Sequence, residues 1–475
     1  MLANLIAGQW RQPQTPGLPI YNPATAEVLD EVPLCGPGEV AQAVAAAAEA
    51  YSRWSQTPVM ERTRLMFRYK ALLEEHCEEL AAIVTRHHGK TLEEARGEVR
   101  RGIEVVDFAC GAPTLLQGRT LRQVSADVDQ DMYRFPLGVV VGIPPFNFPV
   151  MIPLWMMPLA VVAGNTFILK PSERTPLGAM RLAELFLEAG FPPGVLNIVH
   201  GARETVEALI AAPEVQAVSF VGSAPVARQV YEEAARHGKR VQALGGAKNH
   251  IIVMPDADLS TTVPALLGSA FGNAGERCLA GSVAVTVGEA SQRLLEPLCA
   301  QTRALVVGPG DQPGVDVGPL IRAEHRDRVA HYVDQGLAEG ATLLVDGRMH
   351  MQRQGFFLGP TILNDVNPDM SVGREELFGP VLSVSQAQTL DEAIAQANRM
   401  SLGNMAVIFT RDGRAARTFR ENVEAGMVGV NVPVAQPFAF FPFSGWKGSF
   451  YGDLHVHGMD GVEFYTRKKM FITRW

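Results

Sequence analysis

The sequence predicts an α/β protein of two lobes, each built around a mainly parallel sheet. Short β-rich apolar runs alternate with helical patterns between residues 138 and 244, and again from about residue 251 to residue 431. Apolar strands that alternate with helices are typical of parallel sheets whose two faces are covered by the crossover helices. The chain has 475 residues, too many for one ordinary hydrophobic core. Two sheets in turn imply a cleft between two lobes.

The first lobe is predicted to begin with helices and continue as a strand and helix alternation. Helical spacing of apolar residues marks three early segments, which are Gly38–Tyr51, Glu61–His88 and Thr91–Cys110. The predicted strands that follow are Val139–Ile143, Thr166–Leu169, Val195–Val199 and Ala217–Val221. The helices predicted around them are Ile152–Ala163, Pro176–Glu188, Glu204–Ala211 and Pro225–Ala235.

The second lobe is predicted to repeat this alternation. After a helix at Thr261–Gly272, its strands are Val283–Val287, Ala341–Val345, Val381–Val384, Met405–Phe409 and Met427–Val430. Two remaining segments, Thr120–Tyr133 and Val462–Trp475, show strand-like alternation and are expected to pair with each other and project from the body. An exposed sheet edge usually needs covering, which a partner subunit could provide.

Composition excludes several classes of function. Hydrophobic residues make up 47% and charged residues 19% of the chain, as in soluble globular proteins. The net charge of −8 comes without a Lys/Arg-rich run, which argues against nucleic acid as a partner. The five cysteines are odd in number and widely spaced, which favours a reducing compartment such as the cytoplasm. The short apolar stretch Met1–Ala7 lacks a basic lead, so no export signal is predicted there.

One uncharged segment is long enough to cross a bilayer. No charged side chain occurs between Arg134 and Lys170. Six prolines and two asparagines interrupt this segment, and no second candidate span exists to satisfy the freed backbone groups. The segment is therefore predicted to lie in the protein core, with no membrane as partner.

Two features at predicted strand ends suit a nucleotide. No GxGxxG motif follows a predicted strand, but Gly222 ends Ala217–Val221 and precedes a helix, so its backbone could approach a phosphate. An ordinary strand-to-helix turn is the alternative. Lys170 and Glu173 follow the neighbouring strand at the edge where open α/β sheets bind ligands. They could bind ribose hydroxyls or form a solvated salt bridge.

Cys278 is the candidate nucleophile. It follows the predicted helix Thr261–Gly272 and stands beside Arg277, whose cation could lower the thiol pKa and favour the thiolate. A small core cysteine is the alternative for any single cysteine.

Five ordered motifs decide between these alternatives. They are Pro145–Pro149, Leu169–Glu173, Phe220–Ser223, Gly275–Cys278 and Glu375–Pro380. Together they resemble the aldehyde dehydrogenase superfamily, over essentially the whole chain. The resemblance implies that Cys278 attacks the aldehyde carbon. It also implies that the side-chain amide of Asn147 stabilises the oxyanion together with the backbone N–H of Cys278.

The resemblance also implies an NAD site. Lys170 and Glu173 would hold the adenosine ribose, and Glu173 would repel the 2′-phosphate of NADP. The remaining implied cofactor residues are Phe146 at the nicotinamide channel, Gly222 and Ser223 at the pyrophosphate, Glu376 at the nicotinamide ribose, and Arg174 and Phe378.

The domain organisation follows the same resemblance. Residues 1–119 and 137–244 would form the NAD-binding domain, and residues 245–454 the catalytic domain. Residues 120–136 and 455–475 would form a β oligomerisation element, which implies a homodimer or homotetramer.

One departure from the superfamily pattern concerns the fate of the thioester. Members that hydrolyse it carry a glutamate in a Glu-Leu-Gly-Gly-Lys segment, where this chain has Gln242–His250. Matched on the Lys248-Asn249 pair, the glutamate position is Leu244, and sliding by one residue gives Ala243 or Gly245. A general base typically contributes ~10²–10⁴-fold. Hydrolysis should therefore be slow, and another nucleophile is needed.

Three segments resemble one subfamily, the CoA-acylating methylmalonate-semialdehyde dehydrogenases. They are Gly246–His250, Met427–Pro433 and the shorter Gly461–Thr466. The resemblance implies oxidation of malonate or methylmalonate semialdehyde, loss of carbon dioxide, and acyl transfer to CoA as co-substrate. Planar arginines suit the substrate carboxylate. Arg277 and Arg101 match the subfamily's arginines, although Arg101 could be confused with Arg100.

Two alternative functions stay open from the sequence. A hydrolytic aldehyde dehydrogenase could use Glu276, two residues before the nucleophile, as its base. A nucleotide-binding or structural protein without catalysis is a second reading, which the joint presence of Cys278, Asn147, Lys170 and Glu376 opposes. His455 and His457 alternate on a predicted strand, but other ligands are lacking nearby, so no metal site is predicted.

Overall fold

The computed structural model describes all residues from Met1 to Trp475. Its helices, in chain order, are α1 Pro37–Trp54, α2 Val59–Glu75, α3 Cys77–His88, α4 Leu92–Cys110, α5 Ala112–Leu115, α6 Met151–Val162, α7 Leu177–Glu188, α8 Arg203–Ala211, α9 Ala224–Arg236, α10 Leu259–Phe271, α11 Ala290–Ala304, α12 Ala323–Ala338, α13 Ser371–Arg374, α14 Leu390–Asn398, α15 Gly413–Asn422 and α16 Gly458–Phe464. Two short 3₁₀ helices span Gly272–Gly275 and Arg348–Gln352.

The strands number twenty-two in chain order. They are β1 Asn4–Ile6, β2 Gln9–Arg11, β3 Gly17–Asn22, β4 Glu27–Pro33, β5 Arg119–Ser125, β6 Val128–Pro136, β7 Val139–Ile143, β8 Thr166–Leu169, β9 Leu196–Ile198, β10 Val215–Val221, β11 Arg240–Leu244, β12 Asn249–Val253, β13 Gly281–Val287, β14 Thr342–Val345, β15 Thr361–Asn364, β16 Val381–Ala387, β17 Leu402–Gly403, β18 Met405–Phe409, β19 Met427–Val430, β20 Trp446–Lys447, β21 Phe450–Tyr451 and β22 Thr466–Arg474.

The first lobe is an eight-stranded sheet. Its strand order is β2-β1-β9-β8-β7-β10-β11-β21, and the five strands from β9 to β11 run parallel. β1 is antiparallel to β9 and to the edge strand β2, and at the other edge β21 is antiparallel to β11. The domain division implied by the resemblance assigns residues 245–454 to the catalytic domain, but the strand Phe450–Tyr451 within that range extends the first sheet.

The second lobe is a seven-stranded sheet of order β14-β15-β16-β13-β12-β18-β19. All neighbours are parallel except β14, which pairs antiparallel with β15 at the edge. The fold class is therefore the predicted one, with two α/β lobes and mainly parallel sheets. The smaller pairs β3-β4 and β17-β20 lie outside the two large sheets.

The two projecting segments pair as predicted. β22 lies antiparallel to β6 along its whole length, and β5 completes a three-stranded sheet of order β22-β6-β5. The expected strand character of Val462–Tyr465 is wrong, because α16 continues to Phe464 and β22 begins only at Thr466.

One predicted helix is two helices in the structure. The pattern over Glu61–His88 is continuous in apolar spacing, but the helix ends at Glu75 and restarts at Cys77. His76 lies between them with φ −95° and ψ 16°, outside the helical region. Spacing alone missed this break because α2 and α3 keep buried residues at similar intervals.

The long uncharged segment forms the inside of the first lobe. It contains β7, α6 and β8, and every residue of α6 is buried. No helix of the structure is both long and apolar enough to cross a membrane. A single cluster of 87 buried residues includes Val140 and Leu169 of the first sheet and Ile251 and Val384 of the second. The two lobes therefore share one core, which holds the cleft between them in a defined shape.

Candidate active site

A cleft of about 1630 Å³ lies between the lobes, at the carboxyl ends of strands β7, β8 and β10. Ligands in open α/β sheets bind at this edge. Ten of the twelve residues predicted for the site line it, which are Cys278, Asn147, Phe146, Lys170, Glu173, Arg174, Gly222, Ser223, Glu376 and Phe378. The two predicted substrate arginines, Arg101 and Arg277, do not line it.

The turn before Cys278 is left-handed. After α10 ends at Phe271, Asn273, Ala274 and Gly275 have φ values of 57°, 51° and 75°. A side chain at Gly275 would collide with the carbonyl group of Gly379, so only glycine fits this turn. Cys278, three residues after this turn, lines the cleft.

Two asparagines hold the backbone of Cys278. The side-chain amides of Asn249 and Asn404 each donate to the carbonyl oxygen of Cys278 at 2.9 Å. Asn249 begins β12 and Asn404 directly precedes β18, and these two strands are neighbours in the second sheet. Sequence reasoning missed both residues. A buried polar residue at the start of an otherwise apolar strand is the signal that could have found them.

Burial dominates the electrostatics of the thiol. It raises the pKa of Cys278 to about 12, Arg277 acts in the opposite direction, and Glu376 raises it further. The expectation that Arg277 lowers this pKa below its ordinary value is therefore wrong for the protein without ligands. The free energy needed to remove the thiolate from water exceeds the electrostatic stabilisation that the neighbouring cation provides.

Asn147 contacts the loop of the nucleophile. It lies between β7 and α6, is 3% exposed, and donates from Nδ2 to the carbonyl oxygen of Glu276 at 2.9 Å. The same carbonyl accepts from Nδ2 of Asn273 at 2.6 Å. A carboxamide nitrogen carries two hydrogens. One N–H of the Asn147 amide is thus bonded to the carbonyl of Glu276, and the second is available to a group in the cleft.

Lys170 and Glu173 form a largely buried pair rather than a solvated one. Lys170 is 4% exposed, and its Nζ donates to Glu173 Oε2 at 3.3 Å and to the carbonyl of Gly201 at 2.9 Å. Burial lowers the pKa of Lys170, and Glu173 opposes that effect. Burial raises the pKa of Glu173, but the opposing effect of Lys170 and of other contacts is larger. The pKa of Glu173 therefore lies below its ordinary value.

The first turn of α9 faces the cleft with open N–H groups. Ser223 is the N-cap, and its side chain makes no capping hydrogen bond. Gly222 precedes it, where a Cβ would collide with the ring of Phe220. Free N–H groups and the positive end of the helix dipole attract anions such as phosphates.

Glu376 reaches the cleft from the second lobe. Its Oε1 accepts from the N–H of Ala247 at 2.9 Å, and a side chain at Gly246 would occupy the position of its carboxylate. Burial raises the pKa of Glu376 to about 7, against the opposing effects of the Ala247 N–H, Lys248 and Arg328. The carboxylate is therefore placed where the backbone leaves room for it.

Two aromatic rings line the cleft. Phe146 and Phe378 meet edge to face, with 5.9 Å between ring centroids, and the guanidinium of Arg174 lies 5.2 Å from the Phe146 ring. Phe378 has a φ of 57°, which is unusual for a residue with a side chain and indicates a constrained loop. The two rings therefore bring apolar aromatic surface into the cleft that Cys278 lines.

Glu276 lies behind the cleft rather than in it. Its carboxyl group is fully buried, and Oε1 accepts from the N–H of Ile321 at 3.2 Å. His325 Nε2 lies 3.5 Å from the same oxygen, and His88 Nε2 lies 3.7 Å from Oε2. Burial raises the pKa of Glu276 to about 8. This group does not line the cleft, so it is poorly placed to activate a water molecule there.

The two predicted substrate arginines lie outside the cleft. Arg277 packs against Gly272 and donates from Nη1 to the carbonyl of Gly268 at 3.5 Å. Arg101 is half-buried, pairs with Glu104 at 2.8 Å, and lies 4.7 Å from the ring of Phe438. Arg100, the alternative match, is exposed.

The end of β11 carries no carboxylate. Leu244 is buried in the shared core, and its carbonyl accepts from the N–H of Gly222 at 3.1 Å. Ala243 is buried as well, and Gly245 has no side chain. None of the three positions that could match the base of hydrolytic enzymes offers an acid.

Comparison with known proteins gives a consistent family. The model of the aldehyde dehydrogenase family matches residues 10–471. The chain is 56% identical to malonate-semialdehyde dehydrogenase 2 of Geobacillus kaustophilus, over 100% of this chain and 99% of the relative. It is 52% identical to malonate-semialdehyde dehydrogenase of Halalkalibacterium halodurans, over 100% and 98%.

Solved structures agree in fold over the full length. The crystal structure of methylmalonate-semialdehyde dehydrogenase from Oceanimonas doudoroffii has a TM-score of 0.99 and 47% identity, covering 100% of this chain and 98% of the other. A candidate methylmalonate-semialdehyde dehydrogenase from Sinorhizobium meliloti, solved with NAD, has a TM-score of 0.98 and 44% identity, with the same coverage. The chain belongs to the aldehyde dehydrogenase family.

Proposed function

We propose that this aldehyde dehydrogenase oxidises malonate or methylmalonate semialdehyde with NAD and transfers the acyl group to CoA. The observation that carries the proposal is the pairing of Cys278 and Asn147 in one cleft that has no carboxylate at Leu244. Relatives named for malonate-semialdehyde oxidation, at 51–56% identity over the full chain, support the substrate class. The similar structure solved with NAD supports the cofactor.

The residues of the cleft fit NAD. Lys170 and Glu173 offer a cation and a carboxylate for ribose hydroxyls, and the uncapped first turn of α9 offers N–H donors for the pyrophosphate. Glu376 offers a second carboxylate for the other ribose, and Phe146 and Phe378 offer an apolar wall for the nicotinamide ring. When bound, NAD supplies the hydride acceptor of the reaction.

In the first half-reaction the thiolate of Cys278 attacks the aldehyde carbon and makes a C–S bond. The carbonyl oxygen becomes an oxyanion, which accepts hydrogen bonds from the free N–H of the Asn147 amide and from the backbone N–H of Cys278. The two asparagines on the Cys278 carbonyl fix the peptide unit that directly follows the nucleophile. Loss of hydride to the cofactor then leaves a thioester on Cys278. Donors that are held before the reaction lower its barrier because they need not reorganise.

In the second half-reaction the thioester must be opened. The β-carboxylate of the acyl group leaves as carbon dioxide, because the thioester carbonyl stabilises the resulting enolate, which then takes up a proton. The thiolate of CoA attacks the acyl carbon and the Cys278 thiolate leaves. Water is a poor competitor, since the cleft has no base at Leu244 and Glu276 lies behind it.

Arg277 and Arg101 are proposed to select the carboxylated substrate. The guanidinium of Arg277 is adjacent to the nucleophile in sequence, and its only hydrogen bond is a long one of 3.5 Å to Gly268. Such a weakly held guanidinium can turn towards a carboxylate in the cleft at small cost. Arg101 is held more firmly by Glu104 and Phe438 and would have to leave both to reach the same anion.

A homodimer or homotetramer is proposed from the three-stranded sheet. β5 is exposed along its whole length, and β22 presents the exposed apolar residues Met470, Phe471 and Ile472. Long exposed strands of this kind are usually covered by a partner. The proposed oligomerisation element is residues 120–136 and 455–475, the NAD-binding domain 1–119 and 137–244, and the catalytic domain 245–454. Light scattering during gel filtration should give a mass of two or four chains.

A reducing compartment such as the cytoplasm is proposed for this chain. All five cysteines are free, and Cys278 needs to stay so for catalysis. Fractionation of the native host, with immunodetection of the chain in the cytoplasmic fraction, tests this.

The product assay tests the proposed activity. Each semialdehyde is incubated with NAD, with and without CoA, and NADH, carbon dioxide and acyl-CoA are measured. We expect acetyl-CoA or propionyl-CoA and carbon dioxide in equal amounts with NADH. CoA-independent turnover to a free acid would instead support the hydrolytic alternative, and absence of any NADH would refute the function.

A further inference from the structure

A buried ion pair lies beneath the Asn147 loop. Lys90, between α3 and α4, contacts Glu98 of α4 with 2.6 Å from Nζ to Oε2. The side chains are 1% and 0% exposed, and neither residue lines the cleft. The pair has no direct access to substrate or cofactor.

Both members of the pair hold the segment that carries Asn147. Lys90 Nζ also donates to the carbonyl oxygen of Asn147 at 2.7 Å and lies 4.0 Å from the centroid of the Phe148 ring. Glu98 Oε1 accepts from the N–H groups of Val150 at 2.8 Å and Met151 at 3.2 Å. One ion pair therefore contacts nearly every residue from Asn147 to Met151.

The loop depends on side chains for its shape. Residues 144–148 lie outside regular secondary structure. The loop is also held by the hydroxyl of Thr175, which donates to the carbonyl of Phe146 at 2.8 Å, and by the Asn147 amide, which donates to the carbonyl of Glu276 at 2.9 Å. Without Lys90, the carbonyl of Asn147 would lose its one side-chain donor, and fewer contacts would hold the backbone that carries the Asn147 amide.

A buried ion pair is weak evidence for a gain in stability. The free energy needed to desolvate the two charges often exceeds the stabilisation from their mutual attraction. Burial lowers the pKa of Lys90, although Glu98 and Glu94 act against that effect and Arg277 adds to it. The presence of this pair is better explained by the backbone geometry that it imposes on the segment carrying Asn147.

We propose that Lys90 and Glu98 are positioning residues for the oxyanion donor Asn147. The pair fixes the backbone of residues 147–151, so that the free N–H of the Asn147 amide points at the oxygen of the reacting aldehyde. This inference rests on the role proposed above for Asn147. Misplacement of a catalytic group by about 1 Å can cost roughly 10²-fold in rate, whereas cofactor binding should be little affected.

The test measures the rate of the NADH burst without CoA, which reports formation of the thioester. We expect Lys90→Met to slow the burst by about 10- to 100-fold, less than the ~10²–10³-fold typical for loss of an oxyanion donor. The dissociation constant of NAD should stay within about twofold of the wild-type value. A wild-type burst rate in a folded Lys90→Met protein would overturn the proposal.

Arg62→Met is the matched control. Arg62 is also a buried cation bonded to α6, but it donates to the carbonyl of Val162 at 2.9 Å, at the opposite end of the helix. Its loss should lower the melting temperature and leave the burst rate within about twofold. An equal slowing by Arg62→Met would mean that any loss of stability slows the reaction, and would refute positioning by Lys90.

A double-mutant cycle separates positioning through Asn147 from any other effect. In an Asn147→Ala background, Lys90→Met should slow the burst by less than about twofold, because the group that it positions is gone. A full loss in both backgrounds would show that Lys90 acts through something else. The Asn147→Ala variant alone tests the proposed role of that residue.

A second variant covers the case in which Lys90→Met fails to fold. The double variant Lys90→Met/Glu98→Gln leaves no uncompensated buried charge and keeps an acceptor for the N–H groups of Val150 and Met151. It should fold and still show the slow burst, and a wild-type rate in it would overturn the inference. Absence of a burst in the wild-type protein would count against the proposed function instead.

Discussion

Arg277 and Cys278 are adjacent in the chain, but their side chains do not share the cleft. Cys278 lines it, whereas the Arg277 guanidinium packs against Gly272 and reaches the carbonyl of Gly268 at 3.5 Å. Its charge still acts on the thiol, since it partly opposes the rise in the pKa of Cys278. The effect of Arg277 on the nucleophile and its proposed effect on a substrate anion therefore need separate measurements.

Substitution of Arg277 by leucine should discriminate between substrates. Loss of a charge-assisted hydrogen bond is worth ~1.5–3 kcal/mol, so kcat/KM for malonate semialdehyde should fall by roughly 10- to 150-fold. Propanal has no carboxylate and should lose much less, and Arg277→Lys should recover part of the difference. Equal losses for both aldehydes would mean that Arg277 acts on the nucleophile or the loop and not on a carboxylate.

The raised pKa of Cys278 predicts a pH dependence of its reactivity without ligands. The thiolate is the nucleophile, and a pKa of about 12 leaves almost all of the thiol protonated at neutral pH. Alkylation by iodoacetamide should therefore rise about tenfold per pH unit from pH 7 to pH 10, without a plateau. Mass spectrometry of the modified peptide follows Cys278 alone. A plateau near pH 8 would show that the thiol ionises far more easily than its burial implies.

Replacement of Cys278 by alanine should separate chemistry from cofactor binding. Only the covalent step needs the thiol, so aldehyde oxidation should be abolished while the dissociation constant of NAD stays within about twofold. Fluorescence titration measures the binding, and NADH absorbance measures the reaction. Residual oxidation above background would assign the nucleophile to another residue. A large loss of NAD affinity would show that Cys278 is needed for the structure of the cleft rather than for the covalent step alone.

CoA should determine the steady-state rate. Without it, a burst of about one NADH per active site should precede a slow phase, because the acyl-enzyme accumulates. With CoA the slow phase should disappear. Continuous fast turnover without CoA would refute the assignment to thiolysis.

Leu244→Glu should raise the slow phase by far less than the ~10²–10⁴-fold typical of a general base. Leu244 belongs to the shared core and does not line the cleft, so a glutamate there is poorly placed for an attacking water. Burial of its charge should also lower stability, and a melting curve of the variant must precede the kinetics. Leu244→Gln is the matched control, because it introduces a polar group of similar size without the base. An equal rise in both variants would rule out base catalysis as the cause.

Local patterns in the sequence were sufficient for the fold class and for the candidate residues at strand ends, whereas the other cleft residues followed from the family resemblance. The strands Val139–Ile143, Thr166–Leu169 and Met405–Phe409 have the bounds that their apolar runs predict. Residues at the carboxyl ends of parallel strands must meet at one edge of a sheet, so Lys170 and Gly222 could be placed in one site before any coordinates were known. Strand periodicity and strand-end chemistry are local properties, and a single sequence carries them.

Only the tertiary structure decided which groups are buried and which distant groups meet. Asn249 and Asn404 meet at the Cys278 carbonyl, and Lys90 reaches the backbone of Asn147, 57 positions away in the chain. The rise in the pKa of Cys278 reverses the effect that its neighbour Arg277 suggests. Solvent exposure and long-range hydrogen bonds depend on how the two lobes pack, and no pattern within a short window of the sequence contains that information.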